Sequence, residues 1–412
     1  MKIIHITASY KPAYIYGGPI QSVAKLCEAL VSLGVREEGL AIGVGGVRID
    51  DVRVLTTTAN GTSELDVTIG KTTLVAGVKV SYFKRWTKDH SHFAPGLLLN
   101  LRKEILHCIQ DDKTGDKDDK LVVHIHAWWN LVSILSCLVA KWYKIPVVLS
   151  PRGMLTAYTQ HNRNSFFKKI LHRSIGKNLL QYCHIHATSE QEKQDILEIV
   201  TPKSIIIIPN LVNFQLPVLS SPLAVPHKPL MVDDSPFRLI FLSRIEEKKG
   251  LELLFDALSL LDIDWQLTIA GSGKKEYVAS LKAKAQSLKL DHRINWIGQV
   301  SDQEKYNLMA KHDLLALTSF NENFANVVIE SLSVGTPILV SGQVGLSDYV
   351  KERQLGWVCR LEATNIKEML ENAFHDQEAR KKIRQLAPEI IRKDFDDQIL
   401  ANRYLEMYKG LM

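Results

Sequence analysis

The chain has 412 residues, of which 46% are hydrophobic and 23% charged, and its formal net charge is +6. This length exceeds what one hydrophobic core usually supports, so two domains are expected. The positive charge is mild. It suits an anionic small-molecule ligand, an anionic membrane surface or neither, and it is too weak to indicate a nucleic-acid-binding protein.

The cysteines and the apolar stretches predict a cytoplasmic protein. The chain has 5 cysteines, and no two form a Cys-x-x-Cys pair. This pattern predicts reduced thiols and no structural zinc site. The first apolar run is too short for a signal peptide and is typical of a strand. Residues 131–149 are interrupted by Lys141, Lys144 and Pro146, so no membrane span is expected.

Short apolar strand candidates alternate with helical stretches along the whole chain. The first series comprises residues 2–6, 39–44, 78–83, 121–125, 146–149, 184–187 and 205–208. The second comprises residues 238–242, 266–270, 294–297, 314–317, 337–340 and 356–359. Such alternation predicts βαβ units, and therefore an α/β protein with two Rossmann-like, doubly wound parallel-sheet domains that face each other across a cleft.

The predicted domain boundaries follow from these two series. We expect an N-terminal domain over residues 1–214 and a C-terminal domain over residues 237–385. The proline-rich residues 215–236 are interpreted as a linker. Ligands of such sheets bind at the carboxyl ends of the strands. The final segment, residues 386–412, has a helical pattern with a predicted break at Pro388.

Two glutamates that lie eight positions apart give the strongest indication of a functional site. Glu322 lies in the turn after the buried strand 314–317, and Glu330 lies inside a helix predicted over residues 326–334. Unpaired backbone N–H groups at the start of a helix can face an anion. Here they belong to Phe324, Ala325 and Asn326.

Basic residues follow the first strand of the second series. Arg244 and Lys249 lie where the loop after residues 238–242 meets a helix. The planar fork of arginine and the point charge of lysine suit a diphosphate whose negative charge grows as it leaves. Lys248 is a less favoured substitute for Lys249. The alternative interpretation is a solvated charged loop.

Together the Glu-x7-Glu spacing and the run Arg-x4-Lys-Gly resemble the retaining glycosyltransferases of GT-B fold, family 4. The resemblance implies a hexosyltransferase that moves a sugar from a nucleoside-diphosphate donor to a hydroxyl group with retention at the anomeric carbon. It also implies that Glu322 lies near the donor sugar and that Glu330 binds the ribose hydroxyls. Arg244 and Lys249 would neutralise the diphosphate.

The resemblance continues more loosely into the N-terminal half. Gly17 and Gly18 match a glycine-rich loop that approaches the donor, although a simple turn before a helix is the alternative. His126 matches a histidine that contacts the donor sugar, whereas His124 is expected to be structural.

Two further residues of this half are acceptor candidates. Arg152 lies in residues 150–154, which resemble a motif of family members that build polysaccharides, and it is expected to face the acceptor or a phosphate. Trp128 is the second candidate. In the C-terminal half, Gly271 and Val300 are expected to border the nucleobase.

The sequence predicts no metal and no other cofactor. The Asp-x-Asp triplets at residues 116–118 and 262–264 have no strand end or partner ligand nearby. The expected ligands are a nucleotide-sugar donor and a saccharide or lipid-linked saccharide acceptor, in bacterial surface polysaccharide assembly. The basic residues 84–88 and 163–173 could contact an anionic membrane or form a solvated face above packed apolar residues. A nucleotide-sugar 2-epimerase and a non-catalytic binding subunit are the alternatives.

Overall fold

The structure is a computed structural model that describes residues 1–37, 49–89, 91–113, 120–156, 176–214 and 236–412. The chain divides into two compact units. The first comprises Met1–Asn213 with Phe395–Met412, and the second comprises Phe214–Asp394. The predicted strand at 39–44, the triplet at 116–118, the basic segment 163–173 and nearly all of the predicted linker lie outside the described residues.

The described residues form sixteen strands. They are β1 Lys2–Ile6, β2 Asp51–Thr57, β3 Ala59–Asn60, β4 Ser63–Glu64, β5 Thr72–Val75, β6 Val78–Phe83, β7 Leu121–His126, β8 Val147–Ser150, β9 His184–Ala187, β10 Ser204–Ile207, β11 Phe237–Leu242, β12 Trp265–Ala270, β13 Ile294–Gly298, β14 Leu314–Leu317, β15 Ile338–Ser341 and β16 Gly356–Cys359.

The helices of the same residues are α1 Gly18–Glu37, α2 Pro95–Lys113, α3 Leu131–Trp142, α4 Lys177–Tyr182, α5 Glu190–Ile199, α6 Leu251–Leu258, α7 Lys275–Ser287, α8 Asp302–Ala310, α9 Asn326–Ser333, α10 Ser347–Glu352, α11 Ala363–His375, α12 Gln377–Asp394 and α13 Asp397–Lys409. Short 3-10 turns cover Tyr14–Tyr16, Glu247–Lys249 and Asp291–Arg293.

The main sheet of the first unit has the strand order β10-β9-β8-β7-β1-β2-β6-β5. Its described pairings are parallel except that between β5 and β6. Strand β7 is buried along its whole length, and α2, α3 and α4 pack apolar side chains against the sheet. From β1 the chain proceeds to β2 on one side and later to β7 on the other. The carboxyl ends of β1 and β7 therefore flank a topological switch point.

The sheet of the second unit is parallel throughout its described strands, in the order β13-β12-β11-β14-β15-β16. Its switch point lies between β11 and β14, because β12 and β13 extend the sheet on one side and β15 and β16 on the other. The predicted α/β class with doubly wound parallel sheets is confirmed. The structure also places the loops that carry Arg244, Lys249 and Glu322 at this second switch point.

Several elements differ from the expectations. Strands β2, β3, β4 and β5 were not predicted. In β2, Asp51 and Arg53 interrupt the apolar pattern. The structure explains these charges: Arg53 binds Asp51 and Glu104, and Lys79 binds Asp51 at 2.8 Å. The predicted helix break at Pro388 is wrong, since this proline lies inside α12.

The chain leaves the helix after residue 394 instead. Helix α13 begins after Asp396, whose carboxylate accepts hydrogen bonds from the amides of Gln398 and Ile399 at 2.9 Å. It packs with α1 in the first unit, whereas α12 packs with α9 in the second.

Candidate functional site

The loops after β11 and β14 touch closely in the second unit. Gly250 has a φ of 70°, and a Cβ atom there would lie 2.1 Å from the carbonyl oxygen of Thr318. Only glycine allows this approach without a backbone shift. The amide of Phe320 also donates to the carbonyl of Lys248 at 2.8 Å. The loop that carries Lys249 is thereby fixed against the loop that leads to Glu322.

Lys249 and Glu322 form an ion pair across this contact. Lys249 is only 5% exposed, and burial lowers the pKa of its ammonium group while Glu322 opposes that shift. The structure therefore brings two predicted site residues together and pairs them with each other. Whether Lys249 also contacts a diphosphate stays a prediction.

Arg244 is the most exposed cation of the same loop. Its side chain is 54% exposed and contacts Glu246 at 2.9 Å. Such an exposed pair contributes little to stability, so the guanidinium can exchange this partner for a ligand at small cost. The predicted contact between Arg244 and a diphosphate is compatible with this position.

Glu330 has a partner that the sequence analysis did not identify. Its Oε1 accepts from Lys305 Nζ at 2.8 Å, and both side chains are buried. Burial raises the pKa of Glu330, and the charge of Lys305 only partly opposes this shift. For Lys305, burial acts to lower the pKa, but the charge of Glu330 outweighs burial and the pKa is raised. Lys305 also contacts Asp302 at 3.1 Å. The predicted ribose contact would thus have to form beside an existing ion pair.

The N-terminus of α9 has no side-chain cap that would compete with a ligand. Its N-cap residue, Ala325, has a φ of 67° and offers no side-chain cap. The first amides of the helix consequently lack the usual side-chain acceptor. Phe324 and Ala325 are themselves buried, and Asn326 is partly exposed.

The loops after β12 and β13 lie beside this cluster. Gly271 donates its amide to Gly298 at 2.7 Å, and a Cβ atom on Gly271 would lie 1.9 Å from the carbonyl oxygen of Ser243. Val300 follows β13 and is partly exposed. The four loops at this edge of the sheet are therefore tightly connected. The contacts of Gly271 and Val300 with a base remain predictions.

A chain of hydrogen bonds fills the first unit's switch point. Arg152 Nη2 lies 3.4 Å from His126 Nδ1, and His126 Nε2 lies 3.0 Å from His5 Nδ1. Because a guanidinium can only donate, Nδ1 of His126 must be the acceptor. Nε2 of His126 then carries the proton and donates to His5. His126 is 1% exposed, so its predicted contact with a sugar stays a prediction that the side chain's burial does not favour.

A second chain runs beside the first. Its fixed end is the carbonyl of Ile208, which accepts from His186 Nε2 at 2.7 Å. Nδ1 of His186 must then accept from the Ser150 hydroxyl at 2.6 Å. Ser150 in turn accepts from His124 Nε2 at 2.7 Å, and His124 Nδ1 accepts from Tyr408 at 2.6 Å. His124 is therefore structural in this arrangement, and α13 supplies the last donor.

All of these histidines are neutral in the folded protein. Burial lowers the pKa of His5 and of His186 to about 3, and it lowers the pKa of His124 and His126 well below the ordinary value. Ligating atoms of His5, His124 and His126 lie within 4.8 Å of one another. All of these nitrogens except His5 Nε2 are engaged in hydrogen bonds beside the positive Arg152, however, so this donor set suits a hydrogen-bond network better than a divalent cation.

Two sequence predictions in the first unit require correction. Trp128, expected to contact the acceptor, has an exposed fraction of 0% and packs in the apolar core. Arg85 in the basic segment 84–88 is 3% exposed and binds Glu64 at 2.7 Å, so its charge is not available to a membrane.

The predicted glycine pair lies at the same switch point. Gly17 has a φ of 70°, and Gly18 begins α1. No atom lies within 4 Å of a Cβ built on Gly17, so the positive φ alone favours glycine there. Among the described residues, no helix is both long enough and apolar enough to cross a membrane.

The comparisons with known proteins agree with the fold. Residues 227–389 match the family model "Glycosyl transferases group 1", and residues 16–216 match "Glycosyltransferase Family 4". The glycogen synthase of Mycobacterium tuberculosis is 24% identical over 99% of this chain and 94% of that protein. The D-inositol 3-phosphate glycosyltransferase of Pseudarthrobacter chlorophenolicus is 33% identical, but the alignment spans 28% of this chain and 29% of that protein.

The solved structure of Anabaena HepE, in complex with UDP and glucose, covers 100% of both chains with a TM-score of 0.67 at 18% identity. The two sheets, the connected loops of the second unit and these matches define a glycosyltransferase of GT-B fold. The chain belongs to glycosyltransferase family 4, as the motifs predicted.

Proposed function

We propose that this protein transfers a sugar from a nucleoside-diphosphate donor to a hydroxyl of a saccharide or lipid-linked saccharide, with retention at the anomeric carbon. The observation that carries the proposal is the arrangement at the second switch point. There an exposed Arg244, the pair of Lys249 with Glu322, and an uncapped helix N-terminus all belong to loops that contact one another. Ligands of doubly wound sheets bind at this position.

Each group has a role that its chemistry supports. Arg244 and the first amides of α9 would hold the departing diphosphate, because preorganised donors stabilise a growing negative charge. Lys249 would share its charge between Glu322 and the diphosphate. Glu322 would then position the donor sugar near the reacting carbon. Glu330, held by Lys305, would meet the ribose.

No side chain is required as a covalent nucleophile in this proposal. The departing phosphate itself would accept the proton of the acceptor hydroxyl on the face from which it leaves. Orientation of donor and acceptor then supplies much of the rate enhancement. We assign the reaction to the cytoplasm and to the assembly of a bacterial surface polysaccharide, on the resemblance of residues 150–154 to family members that build polysaccharides.

Thermal-shift binding of nucleoside diphosphates tests the donor site. UDP, GDP and ADP are added to the wild type and to Arg244→Ala in buffer with EDTA, since a ligand of the folded state raises the melting temperature. Arg360→Ala is the matched control, because Arg360 is also an exposed arginine beside a glutamate two residues later. We expect one nucleotide to stabilise the wild type and Arg360→Ala but to stabilise Arg244→Ala far less.

A shift that is equal in all three proteins would overturn the role of Arg244, and no shift with any nucleotide would overturn the donor site. The matching nucleotide sugars are then incubated with the wild type and candidate saccharides. Transfer to a saccharide supports the proposal. Conversion of the donor alone into an epimer would replace it.

A further inference from the structure

The loop that carries the glycine pair, residues 14–18, contacts the hairpin of β3 and β4. We refer to these residues as the glycine loop. The amide of Gly61, in the turn of the hairpin, donates to the hydroxyl of Tyr16 at 2.9 Å. A Cβ atom on Gly61 would lie 3.1 Å from Cδ1 of Ile15, so the turn packs closely against the loop. Tyr16 directly precedes Gly17, so the hairpin contacts the part of the loop that sets the position of this glycine.

The hairpin is too small to keep its own position. Its strands have two residues each and form a separate two-stranded sheet. The pairings are Ala59 with Glu64 and Asn60 with Ser63. A two-stranded hairpin is marginally stable at best on its own, because it buries little apolar surface. Contacts with neighbouring elements must therefore fix it.

Arg85 supplies several of these contacts. Its Nη2 donates to the carbonyls of Gly61 and Ser63, both at 2.9 Å. Its Nε donates to the carboxylate of Glu64 at 2.7 Å. The guanidinium is buried, and its planar fork allows one side chain to bind both the turn and the strand that follows it. Hydrogen bonds from a charged donor are stronger than those between neutral groups. Arg85 therefore fixes the hairpin turn in the first unit.

A second contact connects Arg85 with the glycine loop. Its Nη1 lies 3.4 Å from Nδ1 of His92, and this nitrogen is the acceptor because a guanidinium can only donate. The imidazole of His92 lies edge-on to the ring of Tyr16, with 6.4 Å between the ring centroids. Arg85 is thus connected with Tyr16 in two ways, through the hairpin and through His92.

We propose that Arg85 is a positioning residue for sugar transfer, which fixes the glycine loop through the β3–β4 hairpin and Tyr16. The loop lies beyond the carboxyl end of β1, where ligands of doubly wound sheets bind. Gly17 and Gly18 are the residues expected to approach the donor, so this inference rests on the proposed function. A loop that is fixed before the ligand binds loses less conformational freedom on binding, and its groups stay aligned during the reaction.

Hydrogen exchange measures the order of the glycine loop without any substrate. The wild type is compared with Arg85→Gln and Tyr16→Phe. Gln lacks the charge and the fork of arginine, and Phe lacks only the hydroxyl that accepts from Gly61. We expect the amides of the glycine loop to exchange at least about tenfold faster in both variants, because fewer hydrogen bonds oppose local opening.

Two other variants of the first unit are matched controls. Arg53→Gln removes an arginine that binds the carboxylates of Asp51 and Glu104. Tyr182→Phe removes a hydroxyl that donates to the carbonyl of Ile145 at 2.7 Å. Neither residue belongs to the hairpin or to the glycine loop. Both controls should lower the stability of the first unit and leave the local exchange of the glycine loop unchanged.

Steady-state transfer shows whether the position of the loop matters for the reaction. The donor is the nucleotide sugar that the binding experiment identifies. We expect kcat/KM to fall about tenfold or more in Arg85→Gln and in Tyr16→Phe, since a small misplacement of a ligand-binding group has an effect of this size. The two controls should transfer sugar like the wild type. The double variant Arg85→Gln, Tyr16→Phe should lose no more than Arg85→Gln alone, because both changes break the same connection.

Unchanged exchange of the glycine loop in Arg85→Gln and Tyr16→Phe overturns the inference. Faster exchange with kcat/KM at the level of the controls also overturns it, because the order of the loop would then have no consequence for transfer. Additive losses in the double variant would overturn it as well, since the two residues would act independently.

Arg85→Lys replaces Arg85→Gln if the latter does not fold. It keeps the charge but lacks the fork, so the glycine loop should exchange faster than in the wild type and more slowly than in Tyr16→Phe. A wild type that binds no nucleotide contradicts the proposed function. Exchange of the glycine loop that still depends on Arg85 and Tyr16 in such a chain would support the connection between Arg85 and the loop.

Discussion

The two units have equivalent switch points that are stabilised in opposite ways. In the first unit, neutral histidines, Ser150 and Tyr408 form directional hydrogen-bond chains beside the cation Arg152. In the second, opposite charges are paired, Lys249 with Glu322 and Lys305 with Glu330. The folds of the sheets are alike, but hydrogen bonds between neutral groups connect the first site, whereas ion pairs connect the second.

This difference indicates how each site responds to a ligand. Each member of a satisfied hydrogen-bond chain fixes its neighbours, so the first site is rigid. Removal of any member leaves a buried group without its partner, which lowers stability. An ion pair in a partly open site can share its charges with an anionic ligand. We therefore expect substitutions in the hydrogen-bond chains of the first unit to act mainly through stability, and those around Lys249 to act mainly through catalysis.

Removing one member of the buried pair should have the largest effect on stability. Glu330→Ala leaves Lys305 buried without its main partner, and loss of one member of a buried pair typically costs about 3–5 kcal/mol. The expected result is a comparable fall in the free energy of unfolding of the second unit, measured by urea denaturation. The double variant Lys305→Met, Glu330→Met removes both charges and should recover most of the loss. A single variant as stable as the wild type would contradict the pairing.

Lys249→Ala should have the largest effect on catalysis. Loss of one preorganised electrostatic donor typically lowers the rate about 10²–10³-fold. We expect kcat for sugar transfer to fall by this amount, while Lys248→Ala, at the neighbouring and more exposed position, changes it by less than about tenfold. The measurement is steady-state transfer with the nucleotide sugar identified by binding. Equal losses in the two variants would mean that the loop's total charge matters, and not the contact with Glu322.

The sequence predicted the second site better than the first, for a physical reason. Arg244, Lys249 and Glu322 follow buried strands in short loops, where strand order alone brings them together. Lys305 was missed because it pairs with Glu330 across two helices, and its polar surroundings are typical of a solvated face. His5 and His186 were missed for a similar reason. The hydrogen-bond partners of histidines inside apolar strands can be assigned only when the pairing of β1, β7, β8 and β9 is known.

Acid should weaken the first unit before the second. In the unfolded chain His5 and His186 bind protons below about pH 6.5, whereas their pKa in the folded protein is about 3. The unfolded state therefore binds more protons in this window, so stability is complete above pH 6.5 and falls as the pH decreases toward 3. Each such histidine contributes at most about 1.4 kcal/mol per pH unit.

Hydrogen exchange of the strands at pH 7.5 and pH 5.5 measures this difference in each unit separately. Protection of β1, β7 and β9 should fall more than that of β11 and β14. His5→Asn should reduce this pH dependence in the first unit. The second unit also contains a buried histidine, His312, whose pKa burial lowers. The same pH dependence in both units would therefore contradict the larger contribution that we assign to the histidines of the first unit.

The smallest expected effect is the difference in stability between Tyr408→Phe and Tyr404→Phe. It tests the second hydrogen-bond chain. Tyr408 is the donor to His124 Nδ1, so Tyr408→Phe leaves a buried acceptor unsatisfied at a cost of about 1–3 kcal/mol. Tyr404 lies 3.0 Å from His186 Nε2, whose proton already has the carbonyl of Ile208 as acceptor. Tyr404→Phe should therefore cost less than about 1 kcal/mol. The two substitutions remove the same atom from neighbouring turns of one helix, so the difference between their unfolding free energies reports which tyrosine hydroxyl completes the hydrogen-bond chain. Equal losses would contradict the assignment of this role to Tyr408.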